Sequence, residues 1–334
     1  MASPAPLRPD LPMSCSVDPP DFPIVAGLAP LPPALLRPVL AIGNFDGVHR
    51  GHLAVIEAAR RMARDLGRPA AALTFEPHPR SFFQPDRTLF RLTPGPRKLV
   101  HLARAGLDGA IVLPFDAALA AITAEDFLSD ILIDHLGVTG IVVGFDFHFG
   151  RGRAGSPAFL AAEGARLGFP VAVVEPMRDE GDPISSTAIR NALAAGQVGH
   201  AAHMLGRAWS VDGTVVHGEK RGRLLGYPTA NIVLPPGTEL AFGIYAVRVH
   251  FDGAAHDGVA SYGRRPTFDN GAALLEVHLF DFSGDLYGRT LEVAFHAYLR
   301  PELKFDSVDA LIVQMDADSA AAREILAQPE RFSG

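Results

Sequence analysis

The chain has 334 residues, more than a single hydrophobic core usually holds, so we expect two domains. Hydrophobic residues make up 48% of it and charged residues 20%, which excludes an extensively disordered protein. The formal net charge of −7 leaves no overall basic excess, and we expect neither nucleic acid nor a membrane as a partner.

The first segment, residues 1–36, is rich in proline and is predicted to be a mostly irregular leader. It lacks the uninterrupted apolar core of a signal peptide. It also contains the single cysteine, Cys15, so an intrachain disulfide is excluded and a reducing compartment is favoured. No apolar run in the chain is long enough to span a membrane. We therefore expect a cytoplasmic location, whereas the oligomeric state cannot be predicted.

Short apolar runs and segments of helical periodicity alternate over residues 37–206. The predicted strands are 38–43, 70–75, 110–113, 140–144 and 171–174. The predicted helices are 49–66, 96–105, 123–136, 156–167, 186–195 and 198–205. This alternation is typical of a doubly wound, Rossmann-like α/β domain with a parallel sheet, in which ligands bind beyond the carboxyl ends of the strands.

The pattern changes after Gly206. Short strands are predicted at 209–217, 243–249, 274–280 and 291–299, and a helix at 307–326. Alternating apolar and polar residues are typical of half-solvated antiparallel strands. Residues 207–334 are therefore predicted to form a small antiparallel β-barrel with a terminal helix.

The string GNFDGVHRGH (43–52) lies where the first predicted strand turns into the first predicted helix. A helix N-terminus offers free N–H groups and partial positive charge to a phosphate, and glycines allow close backbone approach. His49 and His52 are three residues apart and share one helix face, where two imidazoles can stabilise charge on a reacting phosphate. A glycine-rich turn with exposed or capping histidines is the alternative.

A second phosphate-binding segment is predicted at ISSTAIR (184–190), which opens a later helix. The hydroxyls of Ser186 and Thr187, the free N–H groups and the guanidinium of Arg190 suit a phosphate clamp. The alternative is an ordinary helix cap followed by a surface arginine. The proximity expected with the histidine motif favours the clamp.

The string HGEKRGRLLGYPTAN (217–231) suggests a second phosphate site. Three of its glycines recur every four residues: Gly218, Gly222 and Gly226. Such a loop can bring backbone N–H groups to phosphates. Thr229 and Asn231 lie on one side of an extended chain and carry oxygens that suit Mg²⁺, and Glu276 on a later strand can accept a proton from a hydroxyl. A glycine-rich hairpin and a solvent-facing glutamate are the alternatives.

From the sequence alone, two further segments are interpreted as purely structural. TFEPHP (74–79) is predicted to be a strand end turned by two prolines, with Glu76 and His78 solvated. The aromatic residues of GFDFHFG (144–150) are expected to pack in a core.

Taken together, the segments resemble two modules of one family. GNFDGVHRGH, TFEPHP, GFDFHFG and ISSTAIR are similar to the adenylyltransferase module of bacterial bifunctional FAD synthetases, in the HxGH nucleotidyltransferase superfamily. HGEKRGRLLGYPTAN, GRRPTF (263–268), LLEVHLF (274–280) and RPELKFDS (300–307) resemble the riboflavin kinase module. The resemblance implies that ATP phosphorylates riboflavin to FMN and then adenylylates FMN to FAD, with release of pyrophosphate.

The resemblance also implies residue roles. The catalytic residues are expected to be Glu276, His49, His52 and Arg190. The expected ATP-binding residues are Gly43, Phe45, Gly47, Gly51, Ser186, Thr187, Gly218, Gly222 and Gly226. Asp146 is expected on the flavin side, and Thr229 and Asn231 are expected to hold Mg²⁺ with ATP. The sequence departs from the family pattern at Phe145, His148, Ser261 and Tyr262.

Two other functions stay open at this point. One is a different nucleotidyltransferase joined to a non-catalytic barrel. The other is a flavin-binding regulatory protein that has lost catalysis. The polar residues Thr229, Asn231 and Glu276 argue against both.

Overall fold

A computed structural model describes residues 22–179, 181–218, 226–264 and 273–329. Within them a parallel six-stranded sheet with flanking helices precedes a closed six-stranded antiparallel barrel with a terminal helix, which confirms the predicted fold class. The sheet strands are β1 (Ile24–Ala26), β2 (Val39–Ile42), β3 (Ala70–Glu76), β4 (Gly109–Pro114), β5 (Gly140–Gly144) and β6 (Val171–Val174).

The helices of the α/β domain are α1 (Arg50–Leu66), α2 (Pro79–Phe83), α3 (Gly95–Arg104), α4 (Ala117–Ala121), α5 (Ala124–Asp126), α6 (Pro157–Leu167), α7 (Ser186–Ala194) and α8 (Val198–Leu205). Helix α5 continues as a π-helical segment, Phe127–His135. Short 3₁₀ turns occur at Pro33–Leu35 and Arg151–Arg153. A small hairpin, β7 (Arg178–Asp179) and β8 (Asp182–Pro183), precedes α7.

The barrel domain consists of β9 (Trp209–Val216), β10 (Ala230–Ile232), β11 (Gly243–Phe251), β12 (Ala254–Arg264), β13 (Ala273–Leu279) and β14 (Thr290–Arg300). Its strand order is β10-β13-β12-β11-β14-β9, and β9 closes the barrel onto β10. Helix α9 (Val308–Leu326) packs Ala322 and Leu326 against the barrel. Strands β10 and β12 were not predicted, because β10 has three residues and β12 consists mostly of small and polar residues with one β-branched residue, Val259.

The order of the parallel sheet places a ligand crevice beside the first βα turn. The strand order is β1-β4-β3-β2-β5-β6, so the chain runs outward from β2 to β4 and returns to β5 on the other side of β2. In open α/β sheets ligands bind at the carboxyl ends of the strands where the order reverses. The string 43–52 begins at the carboxyl end of β2.

The edge strand β1 lies inside the range 1–36 for which an irregular leader is predicted. Ile24–Ala26 pairs in parallel with β4, and Leu35 is fully buried beneath it. Three residues are too few to produce a periodic signal in the sequence. Residues 1–21 lie outside the described part of the chain.

No helix of the described residues is both long enough and apolar enough to traverse a lipid bilayer.

The two domains share a hydrophobic cluster and are also joined by ion pairs of Arg97. Trp209 of β9 packs edge-on against Phe90, and its ring N–H donates to the Leu92 carbonyl at 3.0 Å. Arg97 of α3 extends from the α/β domain to two barrel carboxylates, Asp212 and Glu292.

The two barrel carboxylates are direct cross-strand partners on β9 and β14. Like charges in that position repel each other. The positive charge of Arg97 therefore offsets a repulsion between two carboxylates that would destabilise the barrel on its own. Burial alone would raise the pKa of Glu292, but hydrogen bonding and the charge of Arg97 outweigh it and hold that pKa below its ordinary 4.5.

We expect Arg97→Met to lower the free energy of unfolding by about 2–3 kcal/mol. Breaking a fully buried ion pair costs about 3–5 kcal/mol, and partial exposure of both carboxylates reduces that cost. The difference from wild type should shrink as the pH falls below 4.5, because protonation of Glu292 removes the interaction with Arg97 that lowers its pKa. Urea unfolding at several pH values measures both effects.

The control is Arg166→Met, which removes an exposed ion pair with Glu163 and should leave the urea midpoint unchanged. An Arg97→Met midpoint equal to that of the control would contradict the proposed neutralisation.

Candidate active sites

The turn between β2 and α1 has an unusual backbone. Phe45, Gly47 and Val48 have positive φ angles of 52°, 91° and 41°. Glycine adopts this region freely, but Phe and Val do so only when surrounding contacts compensate the strain. A Cβ on Gly47 would also lie 3.0 Å from Leu92. The geometry before His49 therefore depends on contacts from elsewhere in the chain.

The strongest of these contacts come from Asp46, whose side chain is fully buried. Its carboxylate accepts the backbone N–H groups of Leu92 at 3.3 Å and Thr93 at 3.0 Å. It also forms an ion pair with Arg190, and its backbone carbonyl accepts the Ser186 hydroxyl at 2.8 Å. Asp46 thus joins the turn, the segment before α3 and the start of α7.

The two predicted histidines lie against each other at the start of α1. Their rings stack with centroids 3.6 Å apart. His49 caps the helix, since its Nδ1 accepts the His52 backbone N–H at 3.3 Å. The proton of a neutral His49 ring must then reside on Nε2. The capping alternative is thus correct for His49. The predicted placement of both histidines on one helix face is also seen, because the ring that caps the helix stacks on His52.

Both imidazoles are held neutral. Burial, followed by the charges of Arg207 and Arg190, lowers the pKa of His49 to about 3. Burial is also the largest cause of the lowered pKa of His52. The Nδ1 atom of His52 is buried and has no hydrogen-bond partner among the described residues. These rings can therefore act as neutral donors or acceptors toward a ligand.

The other predicted ATP residues of this turn lie around the histidines. Phe45 is buried, and its ring meets His52 edge-on at 5.3 Å. A Cβ on Gly51 would lie 3.1 Å from the His49 ring, and one on Gly43 would lie 3.3 Å from the Phe45 ring. The glycines therefore make room for these two rings, and the Phe45 side chain belongs to the core.

The segment ISSTAIR supports the turn more than it faces solvent. Ser185 caps α7 through the Ala188 N–H at 3.1 Å and Ser186 binds the Asp46 carbonyl, whereas Thr187 is exposed. Arg190 is 8% exposed and donates to the Phe90 carbonyl at 2.6 Å as well as to Asp46. The alternative of a surface arginine is therefore wrong.

The expectation that Glu76 and His78 are solvated is also wrong. The Glu76 carboxylate accepts hydrogen bonds from both terminal nitrogens of Arg91, at 2.8 and 3.0 Å, and lies 2.7 Å from Lys98 Nζ. Lys98 is 1% exposed and also donates to the Thr74 hydroxyl at 3.0 Å. His78 is 6% exposed, and burial is the largest cause lowering its pKa, to about 4.

Aromatic side chains gather at the carboxyl ends of β3 and β4. Phe82, Phe83 and Phe115 are in mutual edge contact at 5.2–5.7 Å, and Phe83 is 64% exposed. Beyond β5, Phe145 and the predicted flavin-side residue Asp146 are exposed. The expected core packing of GFDFHFG is thus limited to its later part, where Phe149 is buried and stacks on Phe147 at 5.5 Å.

The predicted kinase residues assemble on the barrel. Asn231 of β10 is 5% exposed and is the direct cross-strand partner of Glu276 on β13, so the two side chains lie on one face. The Asn231 Oδ1 atom is buried without a hydrogen-bond partner in the described residues. Thr229, two residues earlier, is half-buried.

The flanking segments fix this corner of the barrel. A Cβ on Gly218 would lie 2.4 Å from Asn231 Nδ2, so only glycine allows the loop to pack on that amide. The Pro228 carbonyl lies 2.9 Å from the Nδ1 atom of His278, and the Tyr227 hydroxyl donates to Asp316 of α9. Gly226 is exposed with φ of 83°, and Gly222 lies outside the described residues.

One acidic neighbour of Glu276 carried no predicted role. Burial, followed by the negative charge of Glu276, raises the pKa of Glu302. A Cβ on Gly263 would lie 2.0 Å from the Glu302 carboxylate. Tyr262, a departure from the family pattern, is 3% exposed and packs on Phe242.

Comparisons with known proteins match each half of the chain separately. The family model described as FAD synthetase matches residues 32–188, and that described as riboflavin kinase matches residues 205–326. A protein from Pseudomonas fluorescens is 44% identical over 91% of this chain and 98% of its own length. One from Escherichia coli K12 is 42% identical over 86% of this chain and 92% of its own length. Both are named bifunctional riboflavin kinase/FMN adenylyltransferase.

A crystal structure from Streptococcus pneumoniae has the same architecture. It is 34% identical, covers 91% of this chain and 99% of its own, and superposes with a TM-score of 0.81. It is described as a macrolide-efflux protein.

We expect the His49 ring of the ligand-free protein to stay neutral, with its proton on Nε2, as the pH is lowered through the ordinary value of 6.5. Its ring ¹⁵N shifts should stay those of the Nε2–H tautomer until the pH approaches about 3 or the protein unfolds. Ring ¹⁵N–¹H correlation spectra, assigned with His49→Gln, measure this. A titration midpoint at 6.5 would disprove the buried, neutral state.

Proposed function

The chain belongs to the family of bifunctional riboflavin kinases/FMN adenylyltransferases, and we propose that its two activities are divided between the two sites described above. The enzyme phosphorylates riboflavin to FMN and adenylylates FMN to FAD, using ATP for both reactions. Its substrates and products are thus riboflavin, FMN, FAD and ATP. Family membership over both halves argues against a non-catalytic barrel and against a binding protein without catalysis.

The observation that carries the division of labour concerns buried polar atoms. Such atoms are nearly always hydrogen-bonded in folded proteins, so exceptions require an explanation. Four side-chain atoms in the described parts of the chain are exceptions, and two belong to predicted site residues, one in each domain: His52 Nδ1 and Asn231 Oδ1. A phosphate hydroxyl or ordered water at the first atom and a cation at the second would satisfy them.

For adenylyl transfer, the phosphate of FMN attacks the α-phosphorus of ATP and pyrophosphate leaves. The negative charge that shifts toward pyrophosphate meets the N-terminus of α1 and the Nε2–H donor of His49. The second imidazole, His52, lies against the first and keeps it in place. The backbone at Gly43, Gly47 and Gly51 lies close to the phosphates in this arrangement.

Arg190 has a different role from the one the sequence suggests. Its guanidinium is already bound to Asp46 and to the Phe90 carbonyl. It therefore contributes positive charge behind the turn and holds the turn in shape. Ser186 acts in the same way through the Asp46 carbonyl, and Thr187 at the start of α7 stays a predicted phosphate contact.

The flavin of FMN belongs at the exposed aromatic residues of the sheet edge. Phe83 and Phe145 are 64% and 46% exposed at the carboxyl end of the sheet, and a flat ring system can stack on such side chains. Asp146, next to Phe145, is positioned for a polar contact with the same ligand.

For riboflavin phosphorylation, Glu276 orients the ribityl 5′-hydroxyl and accepts its proton as the hydroxyl attacks the γ-phosphorus. The donor set fits a divalent cation, because Asn231 Oδ1 is unpartnered and Thr229 supplies a second oxygen two residues away. Bound Mg²⁺ would neutralise charge on the ATP phosphates. Gly218 packs on the Asn231 amide, and Gly222 and Gly226 stay predicted phosphate contacts.

The proposed boundaries follow the same division. Residues 37–206 would form the adenylyltransferase domain and 207–334 the kinase domain, supported by family matches to 32–188 and 205–326. The cytoplasmic location stays a prediction that rests on the sequence.

We expect the double variant His49→Ala/His52→Ala to lower the rate of FAD formation from FMN about 10²–10³-fold, as removal of transition-state donors does. FMN formation from riboflavin should be unchanged. Chromatographic separation of the flavins measures both rates, with exposed His135→Ala as the control. Equal loss of both activities in a folded double variant would refute the division.

Asn231→Ala should have the opposite effect. Loss of a direct metal ligand costs more than the 10–100-fold that outer-shell changes cost, so FMN formation should fall by more than about 100-fold. FAD formation from supplied FMN should persist. Gly218→Ala should behave similarly because its methyl group would displace the Asn231 amide. The control is exposed Asn191→Ala, and a kinase rate for Asn231→Ala that matches this control would disprove the assignment.

A further inference from the structure

The connection between α8 and β9 contains an arginine that the proposed chemistry does not use. Arg207 is half-buried, and its guanidinium donates to three backbone carbonyls. They belong to Gly47 at 2.5 Å, Val48 at 3.0 Å and Leu205 at 3.3 Å. Two of the three carbonyls lie in the strained turn that precedes His49.

The position of these carbonyls determines what Arg207 holds. The Val48 carbonyl belongs to the peptide group whose nitrogen is that of His49, and the Gly47 carbonyl belongs to the preceding peptide group. A guanidinium presents its donors in a rigid planar fork, so one side chain fixes two successive peptide planes. Both Gly47 and Val48 have positive φ, and Val48 adopts that conformation only under external restraint.

Arg207 comes from the part of the chain assigned to the other reaction. It lies within residues 205–326, which match the riboflavin kinase family model. Two residues later, Trp209 donates to the Leu92 carbonyl, and the Leu92 N–H donates to Asp46. The start of the kinase-matching segment therefore contacts the histidine turn directly through Arg207 and indirectly through Trp209, by way of Leu92.

We propose that Arg207 is a positioning residue for adenylyl transfer, which fixes the Gly47 and Val48 carbonyls and thereby the His49–His52 pair. Through it, a residue of the kinase-matching segment controls the geometry of the FMN-adenylylating site. The inference rests on the proposed adenylyl-transfer site at this turn.

The charge of Arg207 acts on the same pair. Burial, followed by the nearby charges of Arg97 and Arg104, lowers the pKa of Arg207 to about 10, so the side chain stays cationic at neutral pH. After burial, Arg207 is the next largest cause of the lowered pKa of His49. Arg207 thus favours the neutral form of the imidazole whose backbone it positions.

The test compares Arg207→Met and Arg207→Lys with the control Arg104→Met. Arg104 is an exposed residue whose charge also acts on Arg207. A misplacement of about 1 Å can cost about 100-fold in rate. We expect kcat for FAD formation to fall about 10–100-fold in Arg207→Met, with KM for FMN little changed and kcat for FMN formation as in wild type. Arg207→Lys should regain part of the loss, since an ammonium reaches one carbonyl but lacks the fork.

Two further readouts separate positioning from a general loss of stability. The pKa of His49 should rise in Arg207→Met, as measured by ring ¹⁵N shifts, because a positive neighbour is gone. Millimolar guanidinium chloride should restore FAD formation in Arg207→Met and leave Arg104→Met unaffected. If Arg207→Met does not fold, the split between the two kcat values in Arg207→Lys decides.

An FAD-forming kcat equal to that of Arg104→Met would overturn the inference, as would equal loss of both activities in a folded variant. His49→Ala/His52→Ala is assayed in parallel. If that double variant still forms FAD at the wild-type rate, the proposed site itself is wrong. If the double variant has lost FAD formation but Arg207→Met forms FAD at the wild-type rate, only the positioning role of Arg207 is wrong.

Discussion

The buried carboxylate of Asp46 is the interaction on which the proposed adenylyl-transfer site depends. A carboxylate without solvent is strongly unfavourable unless it is ion-paired and hydrogen-bonded. Asp46 meets both conditions by binding Arg190 and two backbone N–H groups, those of Leu92 and Thr93. Three segments that are far apart in the sequence are thereby fixed to one another. The strained turn can then persist, and it places two neutral imidazoles at the start of a helix.

The same constraint links the two halves of the enzyme. The segment that Asp46 holds also accepts the Trp209 ring N–H from the barrel, and α3, which follows that segment, carries Arg97 to the barrel carboxylates. Lys98, the next residue, binds Glu76 and Thr74 at the carboxyl end of β3. The barrel therefore contacts the framework of the proposed adenylylating site, while the proposed kinase site at Asn231 and Glu276 lies on β10 and β13.

Regular structure and site motifs were largely predictable from local sequence. Strands such as β5 are clear apolar runs and helices such as α1 have clear periodicity, and the histidine string (43–52) and the PTAN residues (228–231) mark the two proposed sites. Strand β1, with three residues, carried no such signal. The ion pairs were not predictable either, because Asp46 and Arg190 are 144 residues apart and Arg97 and Glu292 are 195 apart. Only the fold brings them together, so the sequence alone predicts a solvated Glu76 and an Arg190 that clamps phosphate.

The most direct measurement is a crystal structure of the full chain with Mg²⁺ and a non-hydrolysable ATP analogue at saturation. The account predicts two nucleotides per chain. One has phosphate oxygens within hydrogen-bonding distance of His49 Nε2 while Asp46 keeps its contacts with Leu92 and Thr93. The other has a cation coordinated by Asn231 Oδ1. A saturated structure with phosphates remote from both atoms, or with one nucleotide serving both sites, would contradict it.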